Sequence, residues 1–129
     1  MQQLTPSGDS VPTEIRLRRR SRVLEVSFAD GACYALGFEY LRAHSPSAEV
    51  QGHGPGQDVL QIAKENVVLK GVEPIGNYAV RLSFDDGHDT GLYTWKYLAE
   101  LGADHGQKWA RYLERLERIG YARKPPAPG

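Results

Sequence analysis

The stretch 84–98 constrains this chain more than any other, because its order of residue types suits only one local plan. Phe84 ends an alternating run. Asp86-Gly87 supplies a tight turn in which glycine accepts a positive φ, and a short strand through Leu92 and Tyr93 leads to Thr94, a good N-cap for an amphipathic helix. Residues 28–41 repeat the plan. Phe28, Asp30, Gly31, Leu36, Tyr40 and Leu41 match Phe84, Asp86, Gly87, Leu92, Tyr97 and Leu98, with one extra residue in the second copy's helix entry. Each copy is a β-meander feeding a helix. Two such halves around one core predict an α+β domain with antiparallel sheet and an added C-terminal helix.

Chain order fills in the plan. Residues 1–12 read as a loose polar arm, with structure beginning near Glu14. Ile15 and Leu17 alternate with arginines, and Leu24, Val26 and Phe28 alternate with Glu25 and Ser27, each the pattern of a half-buried strand. Asp30-Gly31 and Gly76-Asn77 are spaced for two-residue hairpin turns. Helix 38–44 follows Gly37 as cap and stops before Pro46. A short strand is expected over 59–63, and strands over 67–75 and 78–84. Pro74 cannot donate to a ladder, which puts this strand's end at a sheet edge or a bulge. Gly102 reads as the stop of the second helix, with Asp104 and Gln107 as the capping box of a third and Gly120 as its end. The domain therefore spans 13–120, and 121–129 reads as a disordered, proline-rich tail.

Bulk properties exclude several classes. The 129 residues suit one domain, and 16 basic against 16 acidic residues leave no global field to draw in nucleic acid or an anionic membrane. The arginines at 16, 18, 19, 20 and 22 then read as a solvated sheet face. The lone Cys33 forms no internal disulfide and reads as a buried structural thiol, which fits a reducing compartment. No apolar run reaches the ~20 residues needed to cross a bilayer, and residues 1–12 lack the apolar core of a signal peptide. A cytoplasmic location is expected.

Three separated motifs carry a family resemblance. Residues 41–50 (Leu-Arg-Ala-His-Ser-Pro-Ser-Ala-Glu-Val), 72–80 (Val-Glu-Pro-Ile-Gly-Asn-Tyr-Ala-Val) and 85–98 resemble the DUF971 family, the domain like the N-terminal part of gamma-butyrobetaine hydroxylase. The chain looks like a stand-alone member, with the resemblance running over about 12–101. In the hydroxylases, the resemblance implies a zinc ion on three cysteines and a histidine. Carried over, the cysteine positions fall on Ser45, Ser47 and Val50 and the histidine on His88. Serine is a poor zinc ligand and valine is none, so the thiolate site is lost. Related domains also occur with iron–sulfur carrier ATPases, but this chain has no Walker A motif.

Candidate chemistry is correspondingly thin. No histidine opens a His-x-Asp or His-x-Glu motif, so a non-haem iron oxygenase centre is excluded. The sharpest positive reading is a replacement metal site of His88 with His44 and His53, joined by Asp86 or Asp89, suited to zinc or iron. The plain reading of His88 is a turn residue. Gly52, His53, Gly54, Gly56 and Gln57 form a glycine-rich loop for a ligand or partner, but without the strand and helix of a phosphate loop. The expectation is a non-enzymatic accessory module without cofactor. Its partner would be a protein linked to iron–sulfur assembly or an iron-dependent oxygenase, not nucleic acid or membrane. A histidine-based metal-binding protein is the alternative.

Overall fold

A computed structural model describes residues 11–46, 60–87 and 91–125. Strands β1 (Pro12–Arg18), β2 (Val23–Phe28) and β3 (Cys33–Gly37) feed helix α1 (Phe38–Ala43). Strands β4 (Leu69–Ile75), β5 (Ala79–Phe84) and β6 (Gly91–Thr94) feed α2 (Trp95–Ala103), and α3 (His105–Arg118) follows. The strands make two antiparallel three-stranded sheets, ordered β1-β2-β3 and β4-β5-β6. This is the expected α+β plan of two meander-plus-helix halves.

Alternation sets the inner faces. Leu24, Val26 and Phe28 of β2 and Val80, Leu82 and Phe84 of β5 are buried, and together with Leu36, Leu41, Leu98 and Leu101 they belong to one cluster. Neither half has a core of its own, because a three-stranded sheet with one short helix hides too little apolar surface to stand alone.

The hairpins turn differently from expectation. Phe28 N–H donates to Ala32 O at 2.8 Å, Gly31 N–H donates to Phe28 O at 3.0 Å, and only Gly31 of the loop has a positive φ, 93°. The loop is therefore three residues, Ala29 to Gly31, with Asp30 Oδ1 accepting from Ala32 N–H at 3.0 Å. Gly87 repeats the device at φ 88°. The β4–β5 turn is also three residues, 76–78, rather than two, with Gly76 at φ 56°. The left-handed residue comes last in the 29–31 loop and first in the 76–78 loop, and in both glycine takes it at no steric cost.

Other expectations are corrected. Residues 60–63 form no strand, and Val59 lies outside the described residues. Pro12 already pairs with Phe28, so β1 begins inside the stretch read as an arm. Cys33 is exposed, because Tyr34 and Leu36 take the inward positions on β3. Gly102 lies inside α2 rather than ending it: a Cβ there would overlap the Tyr34 ring, so glycine lets the helix lie on β3. Asp104 caps α3 by position only, with φ −102°, ψ 19° and no side-chain hydrogen bond, because α2 and α3 join too tightly for an extended cap.

Gly120 does end α3. It has φ 78°, Gly120 N–H donates to Glu117 O, and Tyr121 N–H donates to Leu116 O, the paired bonds of a Schellman motif. That turn sends 121–125 back onto the domain, where Tyr121, Arg123 and Lys124 are hydrogen-bonded to Glu39 and Glu65 instead of forming a loose tail.

Candidate functional site

The corner where the resemblance places a metal is the end of α1. This helix has six residues, and Phe38, Glu39, Tyr40, Leu41 and Arg42 are all buried. A helix enclosed on every side buries its charged residues too, and a buried charge must be paired. Two ion-pair systems satisfy that demand. Arg42 Nε donates to Asp86 Oδ2 at 2.9 Å and its Nη1 donates to Gln61 Oε1 at 3.1 Å, while Lys64 Nζ donates to the same Asp86 oxygen at 2.8 Å. Glu39 accepts from Arg123 through both of its oxygens and from the Tyr112 hydroxyl at 3.0 Å. Arg123 also lies over the Trp109 ring, 5.2 Å from its centroid.

A third carboxylate sits beside them. Glu65 accepts from the Tyr121 hydroxyl at 2.6 Å and from Lys124 N–H at 2.8 Å. Burial works to raise its pKa, but those two donors and the charge of Arg123 outweigh it and hold the carboxyl below its ordinary value. The Tyr112 phenol is pushed well above its usual range by burial and by Glu39. Tyr40 is raised in the same direction, chiefly by burial.

His44 belongs to this corner as an aromatic residue. Its Nδ1 lies 2.9 Å from Tyr40 O, and since a carbonyl only accepts, Nδ1 carries the proton. Its ring packs 4.7 Å from that of Tyr40, which also meets His105 at 4.5 Å and Trp109 at 6.1 Å. Asp86, read as an oxygen donor for a metal, is bonded to Arg42 and Lys64. Ser45 is fully buried, and its N–H donates to Arg42 O at 3.3 Å. Among the described residues no group of three or more His, Cys, Asp or Glu is placed to hold a metal ion. His53, His88, Asp89, Ser47, Val50, Gly52, Gly54, Gly56 and Gln57 lie outside the described residues.

A zinc centre of the hydroxylase kind does not fit the residues present. Its first ligand position is a buried serine closing a helix turn, and the chain's only thiol, Cys33, sits on β3 with Ser27 Oγ 3.4 Å from its Sγ. What the corner does chemically is join segments: α1, the 61–65 loop, the β5–β6 turn and the C-terminal segment meet through carboxylates that are each held by two donor residues. Sequence reasoning missed Glu39, Arg42, Glu65, Tyr112 and Arg123. The available signal was Glu39 and Arg42 interleaved with Phe38, Tyr40 and Leu41 in a helix too short to have a solvent face.

The chain resembles known structures along most of its length. One protein solved by NMR in solution is 51% identical, covering 91% of this chain and 92% of its own at a TM-score of 0.77. A second NMR structure is 48% identical, covering 95% and 92% at a TM-score of 0.78. The crystal structure of a protein of unknown function of the DUF971 family, from Acidithiobacillus ferrooxidans ATCC 23270, is 44% identical over 71% of this chain and 92% of its own, with a TM-score of 0.60. No curated protein matches the chain. The family model described as gamma-butyrobetaine hydroxylase-like, N-terminal, matches residues 15–99, from β1 into α2. With that model matching most of the domain, and with the DUF971 structure alike in sequence and fold, the chain belongs to the gamma-butyrobetaine hydroxylase-like N-terminal family, DUF971.

Proposed function

We propose that this protein is a non-enzymatic accessory module that acts through protein–protein contact, in a pathway of iron–sulfur assembly or iron-dependent oxygenation. The observation that carries the reading is the use made of the carboxylates at the candidate corner. Glu39 is held by Arg123 and Tyr112, Asp86 by Arg42 and Lys64, and Glu65 by Tyr121 and the Lys124 main chain. A catalytic acid or base must reach a substrate proton and exchange its own. These groups instead spend their lone pairs on holding four segments together, which is the work of a scaffold. The family's name, taken from the N-terminal part of a hydroxylase, supports the oxygenase side of the pathway by association alone.

The test is reciprocal capture in cells. The chain carries an N-terminal tag, away from the docked 121–125 segment, and each candidate recovered is then tagged in turn. The reading expects one partner to come through in both directions at near-equal amounts. A purified protein that turns over a substrate unaided, or candidates that all fail in the reverse direction, would sink it.

A further inference from the structure

The two sheets do not close on each other everywhere. Their edge strands β1 and β4 both line a groove of about 470 Å³. That volume is within the usual range for small-molecule sites. Ile15 and Leu17 form one wall, Val72 and Pro74 the other, and Val80 and Trp95 complete the lining. The cations Arg19 and Lys70 also line it, and no acidic residue does.

The charge is concentrated at one end. Arg19 follows the last residue of β1 and Lys70 is the second residue of β4, and Arg19 Nη2 donates to the Lys70 main-chain O at 3.4 Å, which brings the guanidinium to the start of β4. Moving away from them, β1 runs back through Leu17 to Ile15 while β4 runs on through Val72 to Pro74. Two arginines of β1 have carboxylate partners, Arg16 with Glu14 and Arg18 with Glu25, and Arg22 donates to the Val67 main-chain O. Neither Arg19 nor Lys70 has a carboxylate partner among the described residues. The four strand steps from Lys70 to Pro74 span about 13 Å. The lining is therefore apolar along a strand-length slot and cationic at one end.

We propose that this groove binds a free aliphatic carboxylic acid of medium chain length, its chain between Leu17, Val72 and Trp95 and its carboxylate between Arg19 and Lys70. Charge complementarity selects the headgroup, since a guanidinium and an ammonium together suit an anion and repel an amine. The apolar walls select an unbranched chain over a compact polar anion such as acetate. This goes beyond the accessory role and does not depend on it.

Decanoate, 1-decanol, decylamine and acetate, each titrated into the full-length protein and followed by amide and indole NMR shifts, test the proposal. Decanoate is expected to move Leu17, Val72, Val80 and the Trp95 indole N–H saturably, while 1-decanol binds at least about tenfold more weakly. Arg19→Ala with Lys70→Ala, both exposed positions, should bring decanoate down to the level of decanol without changing the spectrum of the free protein elsewhere. Overturning results are shifts absent from the groove, decylamine binding as well as decanoate, or decanoate affinity indifferent to the double substitution. Groove shifts produced by raising protein concentration alone would assign the slot to a second copy of the chain and overturn it as well.

Discussion

At the scale of single residues, the constraints are contacts that a substitution can reverse in sign. Alanine at position 102 gains about 1 kcal/mol of intrinsic helix preference over glycine. Its Cβ, however, overlaps the Tyr34 ring, and overpacking costs about 1–3 kcal/mol. Gly102→Ala should therefore lower urea stability by up to about 2 kcal/mol, and the same change in a Tyr34→Ala background should raise it. Glu65 gives a pH-dependent counterpart. Its folded pKa lies below 4.5, so the unfolded chain binds the extra proton first as pH falls. The stabilisation from Glu65 is complete well above pH 4.5 and is lost as pH falls through the folded value. Glu65→Gln should flatten that acid limb in denaturation midpoints measured from pH 6 downward. These residues were hard to read in the sequence. Gly102 looks like a helix stop because glycine usually is one, and only the ring of a residue on another strand reveals the alternative.

Between elements, the internal repeat explains how the halves lock. Tyr40 of α1 donates its hydroxyl to Leu101 O near the end of α2, at 2.7 Å, and Tyr97 of α2 donates to His44 O at the end of α1, at 2.6 Å. Tyr40 and Tyr97 are equivalent positions of the two halves, and so are the two acceptors, so each helix closes the other's last turn. Tyr40→Phe and Tyr97→Phe should each cost about 1–2 kcal/mol, because a helix-end carbonyl loses its donor, and urea melts of both variants check the symmetry. The repeat was legible because both copies keep Phe-x-Asp-Gly and Tyr-Leu at matching places. Its register was not. Leu36 is buried while Leu92 is exposed, and Tyr93 fills the inward position before the helix cap, so the extra residue falls between Gly87 and Tyr93 and not in the helix entry. A one-residue shift in a strand reverses every side chain, and only pairing fixes it. The C-terminal segment is a second locking element. Arg123→Ala should destabilise by about 2–3 kcal/mol by leaving the buried Glu39 without its counter-charge, with only the Tyr112 hydroxyl, among the described residues, to hold it, and adding Glu39→Gln should restore most of it.

For the whole molecule, two sheets share one cluster of apolar residues, and that was readable from alternation alone because strand burial obeys a period of two. The polar corner was not readable, since Arg42 and Asp86, or Glu39 and Arg123, meet only after the whole chain has folded. The shared core also predicts the alkaline behaviour. Burial raises Tyr40 and Tyr112 above the ordinary value of 10, so folding favours their protonated forms and their contribution is lost as pH climbs beyond that value. Ultraviolet titration should show phenolate absorbance from these two appearing together with unfolding, not before it. The proposed role is that of a contact scaffold, with ion pairs and tyrosines occupying the corner where the resemblance places a metal. Elemental analysis of untagged protein, purified without chelator, tests it most directly. The account predicts less than about a tenth of an equivalent of zinc, iron or nickel, because a structural site retains its ion. A full equivalent that disappears with His88→Ala, or with His44→Ala or His53→Ala, would contradict it and make this a metal-binding protein.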